Sequence, residues 1–418
     1  MRPRLPLSIR RTAASRVLAC LAVGFLALHA AGLRAATLGE AVSAAIRMQQ
    51  QEQRVGALRN EQSAVDRQAA GLVAADPALR AKTLSDALTG DDGAYELEAM
   101  VDLPLWRPGQ RAAGRSLAQA LGSQAGALVR YLRWEAAGQV REAAWDAAIA
   151  QGRLRQAGAA LESARALEGD IAKRTAAGEL ARVDLLVAQQ ETLDREVDLQ
   201  AAQMEYDRAI HGYVHLTGLR ALPDPLLETA VATVRDELEL PDDHPLLASS
   251  AGAVAEARSE RDRARSARRG NPILSLGAKQ ARAARGEPSD TALQLEIHVP
   301  FGLAGQAAPA LARAERTYTD KVAEQSLTRL EAEHGLHEAR LGVLGAADAL
   351  AVAQRRQGLT QEALRLVRHA FDLGEADLTT LLAAQERARQ SSLDLELRRL
   401  EQGRAAARLN QALGVVPE

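Results

Sequence analysis

The sequence predicts a mainly α-helical chain with a small β part, in which one helix–β-hairpin–long helix–turn–helix unit occurs twice. Three observations carry this. VDLPLWRPGQRAA at 101–113 returns as IHVPFGLAGQAAP at 297–309, and GELARVDLLVAQQ at 178–190 returns as GEADLTTLLAAQE at 374–386, both 196 residues on. One offset shared by two separate landmarks marks an internal duplication. Residues 95–105 and 293–301 alternate apolar and polar side chains, with Met100 the exception, which is the period of a strand with two unlike faces. Leu154, Ala157, Leu161 and Ala164, and later Leu359, Ala363, Leu366 and Ala370, step by three and four, which is coiled-coil spacing with small residues that let helices approach closely.

Composition agrees. The 418 residues are rich in Ala, Leu, Arg, Glu and Gln, with only 3% aromatics, a bias toward long helices. A formal net charge of −2 gives no basic field for nucleic acid.

Residues 1–36 read as a secretory signal: Arg2, Arg4, Arg10 and Arg11 precede an apolar run from Val17 to Ala31, and small residues follow. The run is short for a membrane span. Cys20, the only cysteine, ends a lipobox-like VLAC but lies inside the apolar run. Cleavage near Ala35 or Ala36 leaves a mature chain with no disulfide and no thiolate metal site.

Repeat one spans 37–218. A helix over about 38–73 leads to the step Asp76-Pro77, a hairpin over about 78–105 turning at TGDDG, a long helix over about 108–175, a turn over about 175–184 and a second helix ending at Gly218. A proline-rich linker, 219–243, follows. Repeat two spans 244–414, with a helix over about 245–269, the step Asn271-Pro272, a hairpin over about 273–301, a long helix over about 304–372, a turn over about 372–380 and a helix ending at Gly414; 415–418 form a tail. Pro104 and Gly109, and their equivalents Pro300 and Gly305, mark the exits from the hairpins. Gly178 and Gly374 are placed as helix C-cap glycines, and Asp184 as an N-cap for the next helix.

Strands of this length, apolar on one side and polar on the other, suit a tilted crossing of an outer membrane. Four strands cannot stand open in hydrocarbon, because their edges leave backbone groups unpaired. Several copies must close one barrel, and three copies give twelve strands. Lys82 and Lys279 must then face the lumen. Tyr95, Trp106 and Phe301 are the candidates for a thin aromatic girdle. The long helices reach about 90 Å below.

Two copies of an exit motif, PLWRPGQ and PFGLAGQ, and two of a turn motif, GELARVDLLVAQ and GEADLTTLLAAQ, resemble the TolC family of outer-membrane efflux proteins over about 37–414. The resemblance implies a homotrimer with a twelve-stranded β-barrel on an α-helical coiled-coil tunnel in the periplasm. It implies two further partners, a periplasmic adaptor (membrane fusion) protein and an inner-membrane pump of the resistance-nodulation-division type. It places the adaptor-docking tip at Ala177, Gly178, Glu179 and Leu180 in repeat one and at Leu373, Gly374, Glu375 and Ala376 in repeat two. The acidic ring of some relatives is missing, since Thr380 and Ala383 occupy its positions; Asp184 and Asp377 are left as possible tunnel-end charge. A short chain of this kind resembles the CzcC-like subgroup, which implies cation or heavy-metal efflux, with multidrug or type I export open.

No catalytic constellation, phosphate loop or cofactor motif is seen. His211 and His215, one helical turn apart, have no convincing third ligand. The rival from another class is a soluble periplasmic coiled-coil scaffold, which accounts for the heptads but not for the matched strands.

Overall fold

The computed structural model describes residues 36–88, 90, 92–229, 239–301 and 306–417. The signal segment through residue 35, Cys20 and Gly305 lie outside the described residues. The expected unit is present twice. Its first copy comprises α1 (Leu38–Met48), α2 (Glu52–Ala70), β1 (Ala78–Ser85), β2 (Tyr95–Pro104), α3 (Gln110–Ala176) and α4 (Arg182–Thr217). Its second comprises α5 (Pro245–Ser266), β3 (Ile273–Arg282), β4 (Asp290–His298), α6 (Ala308–Asp372) and α7 (Leu378–Ala412).

The opening helix of repeat one is not continuous as expected. α1 starts with a capping box: Thr37 Oγ1 accepts from the Glu40 N–H at 3.2 Å, and Glu40 returns a carboxylate to the Thr37 N–H at 2.8 Å. It stops at Met48 because Gln50 turns to φ +52°. The Gln50 and Gln51 N–H groups then bond back to the Arg47 and Ile46 carbonyls, the paired closure usually built on glycine. The break lets two faces be chosen separately. α1 buries Ala41, Val42 and Ala45 in a core with Ala136, Val140 and Ala144 of α3 and Tyr213 of α4, while α2 packs along α3.

The four strands form one antiparallel sheet in the order β1-β2-β3-β4. β4 runs from Asp290 to His298 rather than over 293–301. The ladder ends where its partner begins, with Ile273 opposite His298, just after Pro272. Val299 and Phe301 keep the apolar alternation but lie outside the sheet. β1 and β4 are both open edges.

α3, with 67 residues, spans about 100 Å at 1.5 Å per residue, and α6, with 65, nearly as much. Each pairs with the helix after it, and α7 also packs on α3. The mid-length of α3 holds the main polar anchor. Arg141 is 2% exposed and makes a bidentate pair with Glu228 of the linker at 2.7 and 2.6 Å. It also bonds the Gln411 side chain at 2.5 Å and the Val415 carbonyl at 3.1 Å. Linker and C-terminus are thus tied to one point on α3. Beside it Trp134 donates its indole N–H to the Gln411 carbonyl at 2.8 Å and packs edge-on to His244. Burial holds His244 below the ordinary imidazole range, so its ring is neutral and Nδ1 accepts from the Leu246 N–H at 3.2 Å, capping α5.

Candidate functional site

The sheet sorts its side chains by face. Directly paired residues share a face. The rows Leu79–Val101–Leu276–Leu295 and Leu103–Leu274–Ile297 are apolar throughout. This face is uncovered: Leu293 is 94% exposed and Leu79 78%. The opposite face is charged. Lys82 and Lys279 both stand on it and share two carboxylates. Lys279 Nζ lies 2.7 Å from Glu96 and 3.7 Å from Glu98, and Lys82 lies 3.6 and 3.8 Å from the same pair. A second cluster joins Arg80 to Asp102 at 3.1 Å and to Glu296 at 3.3 Å, with Ser275 donating to Asp102 at 2.5 Å. Met100, the break in the alternation, sits opposite Gly277 on this face. The missing side chain there leaves the room that Met100 fills, and Met100 is buried.

The aromatics divide. Tyr95 lies at the turn end of β2, with the Arg282 guanidinium 4.8 Å over its ring. Phe301 is 97% exposed at the opposite end. Trp106 turns inward, and its indole N–H donates to the Gly71 carbonyl at 3.0 Å.

Trp106 belongs to a junction that sequence reasoning missed. Chain leaving β2 satisfies the ends of the two helices beside it. Arg111 donates to the Ala69 and Ala70 carbonyls of α2, both at 3.1 Å. Arg107 bonds the Gly270 carbonyl beyond α5 at 2.6 Å and the Pro300 carbonyl at 3.1 Å. Gln110 bonds the Asn271 side chain at 2.8 Å. The Leu105 N–H continues the ladder to the Pro272 carbonyl at 2.7 Å. The signal was present in two arginines of repeat one, Arg107 inside the exit motif and Arg111 just after it. Gly109, at φ +89°, then starts α3 in a conformation glycine adopts freely.

The two helix turns are built alike. Gly178 at φ +81° and Gly374 at φ +77° follow the C-caps Ala177 and Leu373. The Gly178 and Glu179 N–H groups bond the Thr175 and Arg174 carbonyls, and the Gly374 and Glu375 N–H groups bond the Phe371 and Ala370 carbonyls, at 2.8–3.1 Å. The turns share one small core of Ile171, Ala188, Phe371, Leu378 and Leu381, into which Leu180 and Ala376 also pack. Arg174 stacks 5.0 Å over Phe371 and pairs with Glu179 at 3.3 Å. Ala177, Gly178, Glu179, Leu373, Gly374 and Glu375 are exposed.

The restart of each second helix corrects one expectation. Asp184 is not the N-cap. It lies three residues after the N-cap Ala181 and accepts that residue's N–H at 3.1 Å. In repeat two the carboxylate has moved to the N-cap itself: Asp377 accepts from the Thr380 N–H at 2.7 Å. The Thr380 hydrogen bonds hold the Asp377 carboxyl below its ordinary range. A lowered pKa means the native state favours the anion, so this stabilisation is present at neutral pH and lost as pH falls through the lowered value. Asp377→Ala is therefore expected to speed amide exchange at Thr380 and Leu381 while the middle of α7 stays protected. In the unmodified protein the same loss appears only on acidification below the ordinary aspartate range.

His211 and His215 are exposed on α4, and His211 Nδ1 is 2.6 Å from the Asp207 carbonyl. Among the described residues no group of three or more His, Cys, Asp or Glu side chains is placed to hold a metal ion. Nor, among them, is any helix long and apolar enough to cross a membrane.

No protein-family model and no curated protein matches the chain. Solved structures do. The outer membrane protein VceC of Vibrio cholerae superposes with a TM-score of 0.70 at 17% identity, over 91% of this chain and 97% of that one. CusC, described for its transmembrane channel formation, gives 0.68 at 16% identity over 91% and 92%. The open state of the Neisseria gonorrhoeae MtrE outer membrane channel gives 0.66 at 16% identity over 90% and 89%. This chain has the outer-membrane channel fold. The fold expected from the repeated motifs is the fold found. In this channel fold the sheet and the helix turns lie at opposite ends of α3 and α6, so the two candidate surfaces are separated by the full length of the helices.

Proposed function

We propose that the chain is the outer-membrane exit duct of a tripartite efflux system. In this reading three copies close a twelve-stranded barrel whose helices form a periplasmic tunnel. The observation that carries it is the sheet: one bare apolar face, one charged face and two unpaired edges, a combination stable in lipid only when neighbours complete the ring. The apolar rows face hydrocarbon and the Lys82–Glu96–Glu98–Lys279 cluster faces water.

The helices support the same reading. α3 is buried along most of its length, whereas α6 buries only Leu336, Ala353 and Phe371. Val352, Leu359 and Leu366 recur every seven residues on α6 and are all exposed. On α4, Val183, Leu186, Leu193, Val197 and Met204 are exposed at similar spacing. Each such side chain gains about 1.5–3 kcal/mol on burial, so the two seams together are a strong drive for α6 of one copy to meet α4 of the next.

Energy for transport comes from an inner-membrane pump, and the exposed turn residues are the surface offered to a periplasmic adaptor. Heavy-metal cations are the proposed cargo, on the CzcC-like resemblance. Deleting the gene is expected to sensitise cells to zinc, cobalt, cadmium or copper. Sensitisation to dyes and detergents alone moves the cargo to the multidrug class, and no sensitisation to either removes the efflux reading. A second expectation concerns the turns. Gly178→Val or Gly374→Val forces a β-branched residue into a left-handed conformation costing about 1–2 kcal/mol. Resistance is expected to be lost while trimers persist in the outer membrane; full resistance in both variants removes the docking assignment.

A further inference from the structure

The two hairpins obey one register rule. β1 maps onto β3 with an offset of 195 residues, set by Pro77 and Pro272, and β2 maps onto β4 with an offset of 196, set by Pro104 and Pro300. Under these offsets the pair Ala78–Asp102 becomes the pair Ile273–His298, and both are observed. The junction between repeats, β2 against β3, therefore has a counterpart that one chain cannot make: β4 against β1 of another copy.

We propose that copies of this chain join by antiparallel pairing of β4 with β1 of the next copy, in the register Leu295 opposite Thr83 and Ile297 opposite Ala81. This rests on the closed-barrel reading above and goes beyond it by fixing the contacts. The register follows from carrying the observed β2–β3 partners, such as Ala99 with Ala278 and Val101 with Leu276, through the two offsets. The register keeps the two faces of the sheet continuous across the joint. Leu293, Leu295 and Ile297 fall opposite Ser85, Thr83 and Ala81, so both strands keep their apolar sides on one face. A slip of one residue sets every apolar side chain against the charged face. On that charged face the register sets Glu296 opposite Lys82, an opposite-charge cross-strand pair.

The junction below the sheet carries over in the same way. The Leu105 N–H bonds the Pro272 carbonyl, so the Phe301 N–H is assigned to the Pro77 carbonyl of the next copy. Gln110 bonds the Asn271 side chain, so Gln306 is assigned to Asp76 of the next copy. Gln306, Asp76 and Phe301 are all exposed in the single chain. Repeat two has Gly302, Leu303 and Ala307 where repeat one has Trp106, Arg107 and Arg111. Trp106 and Arg111 bond the end of α2 within repeat one; of the two side chains that cross to repeat two, Arg107 and Gln110, only the glutamine is retained, so the joint between copies is held by fewer side-chain bonds than the joint within a copy.

Cysteine pairs in the full-length chain test this, because Cys20 is the only native cysteine. Facing strand residues have Cα atoms about 4.5–5.5 Å apart, within disulfide reach, whereas diagonal ones stand about 7–8 Å apart. Thr83→Cys with Leu295→Cys is expected to give trimer-sized disulfide-linked bands on non-reducing gels of oxidised outer membranes. The pairs Ala81→Cys with Leu295→Cys and Ser85→Cys with Leu295→Cys are expected to give little. Dominant linkage in either of those, or no linkage in any pair while the protein still runs as a trimer in detergent, overturns the register but leaves the channel reading standing. A monomer that is soluble without detergent overturns both. Gln306→Ala and Asp76→Ala are expected to lower the dissociation temperature of the trimer by similar, non-additive amounts; additive effects overturn their pairing.

Discussion

Arg141→Met is expected to cost about 3–5 kcal/mol of stability, the usual penalty for removing one partner of a buried ion pair. The guanidinium donates at once to Glu228, to the Gln411 side-chain oxygen and to the Val415 carbonyl. Without it the Glu228 carboxylate stays partly buried, with only the weak Asn410 amide contact at 3.4 Å. Asn410 also holds the Thr229 carbonyl at 3.1 Å, so linker and C-terminus lose their common anchor together. Denaturant unfolding of the detergent-solubilised protein, followed by helical circular dichroism, measures the loss. Arg141→Met combined with Glu228→Met is expected to recover much of it, since a buried pair exchanged for apolar groups is often neutral. Equal instability of the single and double variants contradicts the assignment, because the damage then comes from lost packing rather than a stranded charge.

That anchor shows where sequence reading stops. Arg141 and Glu228 are 87 residues apart and lie in segments with unrelated patterns, so only the folded chain brings them together. What was legible was local. Tyr95, Leu97, Val101 and Leu103 announced a strand by period two alone, and Gly178 and Gly374 announced helix ends because the left-handed region strongly favours glycine. Gln50 was hidden for the same reason: it occupies that conformation without being glycine. Asp184 signalled a helix start, but a carboxylate caps from either end of the first turn, and only the hydrogen bonds show that Asp184 caps from its third position while Asp377, read only as tunnel-end charge, is the N-cap of α7. The end of β4 was fixed not by its own residues but by Pro272 on its partner. The candidate surfaces follow this division: the turns are readable from their glycines, whereas Arg107 and Arg111 mark the junction below the sheet in the sequence but only the fold shows which carbonyls they reach.

Gly277→Ala carries the last expectation, and its sign runs against the general rule. Alanine in place of a strand glycine normally stabilises by about 0.5–1 kcal/mol through the lower entropy of the unfolded chain. At this position an added Cβ falls 2.1 Å from the Ala99 carbonyl oxygen and 2.8 Å from Met100 Cα and Cγ. The first two are main-chain atoms of β2, so no rotamer change relieves them and the strands must part. Parting is felt most at the β2–β3 seam, where no hairpin turn holds the strands and the backbone ladder carries the joint. Overpacking of this kind costs about 1–3 kcal/mol or more, enough to offset the entropic gain several times over. On the trimer reading proposed above, the variant is expected to form trimers that dissociate at lower temperature than the parent, and Gly277→Val to form few. Adding Met100→Ala is not expected to restore them, because it removes Cγ but leaves Cα and the Ala99 carbonyl in place. Heated outer-membrane fractions run on gels decide the matter: a dissociation temperature equal to or above that of the parent for Gly277→Ala means that the two repeats do not meet through this glycine.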